Sequence, residues 1–270
     1  MPKVSVLMTN YNAGEYIGEA IESILWQTFT DFELVIVDDG SGDGSWNIIQ
    51  KYSHQDTRIR CYQNEKNLWI SLTRNRLIDL AQWEYLAWLD SDDIAEKRRL
   101  LLQVDFLEKN PDYGIVGSWM TLVNKVGEEM GVRKLPVSDS EIRDSFYFRT
   151  PVSLGCQMLS KKYRKKIGYY NTELESAEDL DFLLRASRYC KLANIPDTLI
   201  RYRLHGTNVS LKKQKQQIRN TLLVRKNIQK MGYKMGLVGK CVQCVTWCMQ
   251  FLPASFVMRV FNYGIKIFSK

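Results

Sequence analysis

The sequence predicts an α/β fold, a mostly parallel sheet with helices on both faces, followed by an amphipathic helical tail. Short apolar runs rich in β-branched residues alternate with segments of helical period through the first 200 residues. Acids and turn residues follow two of those runs directly, at the strand ends that face a ligand crevice in such a sheet. The charge is also split, because fourteen of the 38 Lys and Arg, and none of the 30 Asp and Glu, lie from Arg201 onward.

Hydrophobic residues make up 45% of the 270, enough to give one large domain a core and to argue against disorder. The net charge of +8 conceals an acidic body, with 24 basic against 30 acidic residues before Arg201, joined to a basic tail. That split excludes a uniformly basic nucleic-acid binder, and a basic tail suits an anionic surface such as an inner membrane leaflet. Val4-Ser5-Val6-Leu7-Met8 after the lone Lys3 is too short for a secretory signal. Cys61, Cys156, Cys190, Cys241, Cys244 and Cys248 show no paired framework, and Cys241-x-x-Cys244 has no second pair to complete a zinc site. Reduced, buried thiols in a cytosolic enzyme are the expectation.

Residues 3–9 read as a buried strand ended by Asn10-Tyr11-Asn12-Ala13-Gly14. Residues 15–27 place Ile17, Ala20, Ile21, Ile24 and Leu25 at helical spacing. A second strand at 32–37 ends in Asp38-Asp39-Gly40-Ser41-Gly42-Asp43-Gly44-Ser45 and leads into a helix over 46–52. Residues 58–63 form a third strand, 70–81 a helix, and 85–89 a fourth strand. A helix is expected from Asp93 to about 108, a strand at 113–123, and a turn at Lys125-Val126-Gly127-Glu128. A short apolar run at 156–159 precedes a basic helix at 161–167, closed by Gly168-Tyr169-Tyr170-Asn171. Glu178-Asp179 opens a helix carrying Leu180, Phe182, Leu183, Leu184 and Ala186, and acids there complement the helix dipole. Residues 191–202 give a last strand, broken by Pro196. No Gly-x-Gly-x-x-Gly follows the first strand and no Walker lysine is present, which disfavours a dinucleotide-binding or P-loop protein.

The candidate chemistry centres on Trp88-Leu89-Asp90-Ser91-Asp92-Asp93. Its three carboxylates repel one another unless a cation is shared. A hard divalent ion, Mn2+ or Mg2+, fits oxygen ligands and leaves room for a ligand's phosphates. A solvated turn capping the next helix accounts equally well for the same residues taken alone.

The order of motifs is more specific than any one of them. Val4-Ser5-Val6-Leu7-Met8-Thr9-Asn10-Tyr11-Asn12, Ser23-Ile24-Leu25-Trp26-Gln27-Thr28 and Val37-Asp38-Asp39-Gly40-Ser41-Gly42-Asp43 resemble the inverting glycosyltransferases of family 2. Thr73-Arg74-Asn75, Leu89-Asp90-Ser91-Asp92-Asp93, Ala177-Glu178-Asp179 with Arg185, and Tyr202-Arg203-Leu204-His205 continue the match over roughly residues 3–210. The resemblance implies a Rossmann-like GT-A fold and transfer of a sugar from a nucleotide-diphosphate donor, UDP-linked by preference, to an acceptor hydroxyl. It implies that Thr9, Tyr11 and Asp39 hold the nucleobase, and a carboxylate at Asp39 suits the imide N–H of uracil or thymine. Arg74 would face the base or diphosphate, and Asp90 and Asp92 the ribose and metal, with Asp93 a further metal ligand. Asp179 would be the general base, with one displacement giving inversion. Glu178 would touch the acceptor or cap its helix. His205 reads either as a metal or diphosphate contact or as a loop histidine, and His54 as a surface residue. Trp69, Trp119 and Tyr147 are candidates to stack on a sugar, against ordinary core packing for each. After Asn67 the family carries a glycine where this chain has Leu68-Trp69-Ile70.

The predicted division is a catalytic domain at 1–210 and a tail at 211–270. A basic helix covers 212–230. Positions 241–258 hold no charge, but Lys240, Gln243, Thr246 and Gln250 recur at helical spacing, as do Ser255, Arg259, Asn262, Lys266 and Ser269 after Pro253. Two amphipathic helices of this kind lie in a membrane interface rather than cross it. Packing on the catalytic domain or on a second copy of the chain is the alternative. The reading is a metal-dependent transferase building cell-surface polysaccharide on a glycan or lipid-linked acceptor, peripheral at the inner face of the membrane. A nucleotidyltransferase acting on a sugar phosphate and a non-catalytic nucleotide-sugar-binding module are its rivals.

Overall fold

The computed structural model describes residues 1–174, 176–205, 214–230, 236–249 and 251. Strands β1 (Val4–Asn10), β2 (Phe32–Asp38), β3 (Ile59–Gln63) and β4 (Tyr85–Trp88) lie parallel in the order β3-β2-β1-β4. Helices α1 (Ile17–Leu25), α2 (Ser45–Gln55) and α3 (Ile70–Leu80) make the crossovers between them. Both faces of this sheet are covered, which is why its strands read as continuous apolar runs. In β1, Val6 and Met8 join one core with Ile17, Ile21 and Ile24 of α1, whereas Leu7 joins the other with Leu77 and Ile78 of α3. Full burial of each such side chain contributes roughly 1.5–3 kcal/mol.

Beyond β4 the sheet runs through β8 (Met158–Ser160), β6 (Tyr113–Val123), β9 (Lys191–Arg203) and β5 (Ile94–Ala95). β7 (Glu129–Arg133) pairs with the far end of β6. β6 and β9 are parallel to one another, while β8, β5 and β7 pair antiparallel with their neighbours. α4 (Arg99–Lys109), α5 (Asp139–Ser145), α6 (Lys161–Ile167) and α7 (Glu178–Ala186) complete the body. α5 starts on a capping box, with Ser138 and Glu141 satisfying each other's backbone N–H groups.

The helix expected from Asp93 starts only at Arg99. The intervening residues are taken by the sheet edge. Ile94 and Ala95 pair with Arg201 and Ile200, and the Glu96 N–H donates to the Leu199 carbonyl at 2.9 Å. β9 runs through Pro196 without the expected break, and the proline is absorbed as a bulge where the register with β6 jumps from Ser118–Ile195 to Trp119–Thr198. β7 and α5 follow the expected turn at 125–128, in a stretch to which the sequence assigned no element.

α8 (Gln214–Lys230) buries Val224 and Ile228 in the body's core, and the Asn220 amide donates to the Ser176 carbonyl at 3.1 Å. α9 (Leu237–Met249) packs on α8. Its Cys241, Cys244 and Cys248 are exposed, against the expected burial, because they lie on the outward side of a helix that covers the body with one face only, whereas Cys156 and Cys190 are buried and Cys61 partly so. No helix among the described residues is long and apolar enough to cross a membrane. The second polar stripe expected after Pro253 lies outside the described residues.

Candidate functional site

The carboxyl ends of β1, β2 and β4 open on one side of the sheet, and the loops there are tied by side chains. Asp38 is fully buried and accepts from Asn10 Nδ2 at 2.7 Å, Ser41 Oγ at 2.5 Å and Gln63 Nε2 at 3.1 Å. It therefore pins the β1 and β2 loops together. Asp39 Oδ1 accepts from Asn64 Nδ2 at 2.6 Å and from the Leu68 backbone N–H at 2.9 Å. Gly40 has φ +75°, and a Cβ there would stand 2.9 Å from the Lys66 carbonyl carbon, so only glycine fits the turn. Thr9 is partly exposed and Tyr11 exposed on the same rim. Trp69 is 56% exposed at φ 70°, a conformation that side-chain-bearing residues seldom adopt.

Asn64 links this end to the next, because its amide also donates to Thr73 Oγ1 at 3.2 Å. Thr73 precedes Arg74, whose guanidinium donates to the Glu178 carboxylate in an ion pair with both side chains 9% exposed. Burial works against the Arg74 charge, but Glu178 and then Asp90 more than offset it, and its pKa is raised. Tyr170 lies beneath, stacked on Phe182 at 4.5 Å and edge-on to Trp88 at 5.7 Å, with the Arg74 Cζ 5.7 Å from its ring centroid.

Asp90, Asp92 and Asp93 occupy the turn between β4 and β5. Burial, against the pull of Arg74, pushes the Asp90 carboxyl up to about 6, and the Asp92 and Glu178 charges add to the rise. Burial raises Asp93 well above the ordinary carboxylate range, reinforced by Asp92 and Asp90. Asp93 Oδ1 accepts the Arg203 backbone N–H at 2.9 Å, while its buried Oδ2 has no hydrogen-bond partner among the described residues. Gly155 permits this crowding, since a Cβ on it would meet Asp90 Oδ2 at 3.1 Å and Asp93 Oδ2 at 3.4 Å. His205 Nε2 lies 2.8 Å from Asp92 Oδ2, with the Tyr16 ring 4.9 Å from the imidazole.

Asp179 stands in the first turn of α7, behind Ala177 in the left-handed conformation at φ 61°. Such strain at a non-glycine residue is frequent at functional sites. Its Oδ1 accepts the Leu180 N–H at 2.7 Å. Burial and then the Glu178 charge push its carboxyl up to about 6, with Arg74 opposing. A carboxylate so placed is a competent proton acceptor near neutral pH.

With Asn64 as an unforeseen link, the expected residues thus form one chain of contacts and fields: Asp39, Thr73, Arg74, Glu178 with Asp179, Asp90, Asp92, His205. Trp119 differs from a free stacking platform, because its indole N–H donates to the Leu135 carbonyl at 2.9 Å and Lys134 Nζ lies 5.4 Å from its ring centroid. Tyr147 is buried in the core. His54 is exposed, as expected.

Arg99 is the main residue the sequence reading passed over. Fully buried beneath the acids, it donates through Nη2 to the Trp88 carbonyl at 2.5 Å and through Nε to Gln103 Oε1 at 3.1 Å. Burial lowers its pKa to about 10 against the pull of Cys156, Asp90 and Asp93. Arg99 and Gln103 are the polar members of the buried stripe Arg99, Leu100, Gln103, Val104, Leu107. Two polar residues at i, i+4 inside an apolar stripe were the available signal.

No three His, Cys, Asp or Glu side chains among the described residues stand in a ready metal-holding group. The chemistry of the set nonetheless fits a hard divalent cation: the orphaned Asp93 Oδ2, the adjoining Asp90 and Asp92 carboxylates and the His205 imidazole.

The profile of the family described as "Glycosyl transferase family 2" matches residues 5–168, more than half of the chain. The chain belongs to glycosyl transferase family 2. An uncharacterized glycosyltransferase of Haemophilus influenzae is 30% identical over 257 residues, 91% of this chain and 79% of the relative. The putative teichuronic acid biosynthesis glycosyltransferase TuaG of Bacillus subtilis is 28% identical, covering 92% of this chain and 93% of its own length. Among solved structures, Staphylococcus aureus TarS 1-349 in complex with UDP-GlcNAc superposes with a TM-score of 0.65 at 24% identity, over 82% of this chain and 66% of that one. The mannosyltransferase PcManGT of Pyrobaculum calidifontis, in complex with GDP-Man and Mn2+, gives 0.68 at 15% identity, over 98% and 80%. At those identities the two structures share the fold. The chain spans only 39% of the longer TarS structure. Membership makes this protein a glycosyltransferase and selects sugar transfer over nucleotidyl transfer.

Proposed function

We propose that this glycosyltransferase moves a sugar from a UDP-linked donor to an acceptor hydroxyl, with inversion, in the assembly of a cell-surface polysaccharide. The observation that carries the reading is Asp179, a carboxyl held near pKa 6 at a helix start and linked through Glu178 and Arg74 to the acid row. It would accept the proton of the attacking hydroxyl in a single displacement at the anomeric carbon. Both observed hydrogen bonds to Asp39 fall on Oδ1, which supports the reading that Oδ2 would accept a uracil imide N–H. Thr9 and Tyr11 would flank the base, and Asp90 and Asp92 the ribose and diphosphate. Asp92, Asp93 and His205 would hold Mn2+ or Mg2+, which when bound offsets charge on the leaving diphosphate. Arg74 and Glu178, paired with one another, would set the shape of the sugar and acceptor pocket, with Trp119 at its edge. TuaG's name and the UDP-GlcNAc complex of TarS support the substrate classes.

The body at 1–210 would carry catalysis, and the tail at 211–270 would seat it on the inner membrane surface. The outward residues of α9 support this: Leu237, Val245 and Trp247 are exposed, as are Cys241, Cys244 and Cys248, with Lys240 the one charged residue of the helix. Deleting residues 236–270 should move the protein from vesicles of anionic lipid into the supernatant; equal partition of both forms would remove the tail's role. For the reaction, the protein is incubated with Mn2+ and a panel of nucleotide sugars. Release of nucleoside diphosphate from UDP-sugars, with opposite anomeric configuration in donor and product, is expected. Release from GDP-sugars alone, or retained configuration, would overturn the donor or the mechanism.

A further inference from the structure

α8 reaches back from the basic segment to the start of α7. Asn220, Val224 and Ile228 recur at i, i+4 and i+8, so they share one face of the helix, and all three are buried. Val224 and Ile228 join the core that holds Leu174, Ala177, Leu180 and Leu183. Asn220 carries the face's polar contact with the body. Its Nδ2 donates to the Ser176 carbonyl and to Ser176 Oγ, both at 3.1 Å. Gln216 Nε2, one turn earlier, donates to Asn220 Oδ1 at 3.3 Å, which settles the end of the amide that faces Ser176.

The backbone gripped in this way has little support of its own. Ala177 opens α7 in the left-handed conformation, at φ 61° and ψ 18°, and gives the helix no side-chain cap. A residue with a Cβ is strained there, and alanine is a poor cap. The Ser176 carbonyl belongs to the peptide plane that turns with the φ angle of Ala177, so the bond from Asn220 acts on the strained angle itself. A second hold lies two residues earlier, where Ser71 Oγ of α3 donates to the Leu174 carbonyl at 3.1 Å. Asp179 follows in the first turn, and the Asp181 N–H donates to the Ala177 carbonyl at 3.1 Å. Displacing this turn by about 1 Å carries Asp179 with it, and a misplacement of that size costs a reaction up to roughly a hundredfold.

We propose that Asn220 is a positioning residue for sugar transfer: it holds the Ser176–Ala177 turn, and through that turn Asp179. Catalysis then draws on α8 as well as on residues 1–210. This deepens the reading of Asp179 as the base and rests on it.

The test compares wild type, N220A, A177G and N220A/A177G in the full-length chain, by release of nucleoside diphosphate from the donor that supports turnover in the panel above. Alanine favours helix, so N220A keeps α8, and kinetics are read well below each melting midpoint. N220A should lower kcat about 10–100-fold, with UDP affinity within about twofold because Asp39 is untouched. Its acid limb of kcat/KM should move below pH 6, since a loosened turn lets water reach Asp179 and relieves the burial that raises its carboxyl. Glycine adopts the left-handed conformation without strain, so N220A/A177G should regain about fivefold or more of the lost kcat. Amide exchange over residues 177–181 should quicken about fivefold or more in N220A, a reading that needs no turnover. Wild-type kcat and acid limb in N220A, no recovery in the double variant, or unchanged exchange overturns the proposal. D179N run in parallel separates the two readings. Turnover retained there strikes the base assignment, whereas turnover lost there and kept in N220A strikes only the role of Asn220.

Discussion

Asp179→Asn sets function against stability at one atom. The Asp179 carboxyl titrates at about 6 rather than the ordinary 3.8. At about 1.4 kcal/mol per unit, a shift of roughly two units costs the folded protein about 3 kcal/mol. The side chain is partly exposed and shares the field of Glu178, so solvent screening reduces the penalty to ~1–2 kcal/mol. The sign follows from proton linkage. A raised folded-state pKa means that the folded protein holds the proton more tightly than the unfolded chain. The penalty is therefore complete above pH 6 and is relieved as pH falls from 6 towards 3.8. An amide keeps an acceptor for the Leu180 N–H and carries no charge. At pH 8 the variant should melt about 2–8 °C above wild type, and the two should converge near pH 4.5. Turnover should fall by roughly 10²–10⁴ while UDP affinity is unchanged. Calorimetric melts at the two pH values, with steady-state release of nucleoside diphosphate, read all three quantities. A variant that melts lower at pH 8, or by the same margin at both pH values, would show that Asp179 is not a strained carboxylate. Retained turnover would place the base elsewhere.

Asp39→Ala should weaken UDP binding about 10–100-fold, the loss of a charge-assisted hydrogen bond, and calorimetry showing unchanged affinity would move the base pocket. Gly155→Ala pushes a methyl to within 3.1 Å of Asp90 and should lower Mn2+ affinity about tenfold with a small change in melting temperature; equal Mn2+ isotherms would mean the acid row does not hold the cation. Glu178→Ala strands the buried Arg74 charge and should cost about 3–5 kcal/mol, read in urea, with R74M/E178L recovering much of it; a mild single-variant effect would show that water reaches Arg74. The acid limb of kcat/KM should fall near pH 6 as Asp179 protonates, and a limb near pH 4 would mean that Asp179 feels no burial in solution.

The first half of the fold was legible because each parallel strand is buried on both faces and therefore reads as an unbroken apolar run. α6 coincides with its expected span, and β6 agrees because eleven residues in one strand leave little ambiguity. The helix start after Asp93 was not legible. Ile94 and Ala95 carry no local strand signal, and only the distant β9 turns them into an edge strand. The acids of the site could be seen because carboxylates at strand ends are unusual against an apolar background. Their supports could not. Asn64, Gly155 and Arg99 are ordinary residues in the chain, and each acquires its role from a partner far away in sequence, such as Gly155 under Asp90. Arg203 belonged to the motif, but its links to Asp93, Asp92 and Glu19 appear only once β9 returns to the site.

The arginines explain why the acids stay uncomfortable. Three of them stand around the row, yet each guanidinium is committed elsewhere: Arg74 to Glu178, Arg99 to the Trp88 carbonyl and Gln103, Arg203 to Glu19 and two backbone carbonyls. They supply field without forming ion pairs with Asp90 or Asp93. A site meant only to be stable would direct those donors at the carboxylates, lowering the pKa values and satisfying Asp93 Oδ2. Here the carboxyls of Asp90, Asp93 and Asp179 remain raised, and among the described residues the Asp92 side chain meets the His205 imidazole. On the proposed reading the arrangement keeps anionic oxygens available to a positive partner brought by the substrate, and Asp179, a carboxyl raised by burial and by Glu178, would take the proton of the attacking hydroxyl.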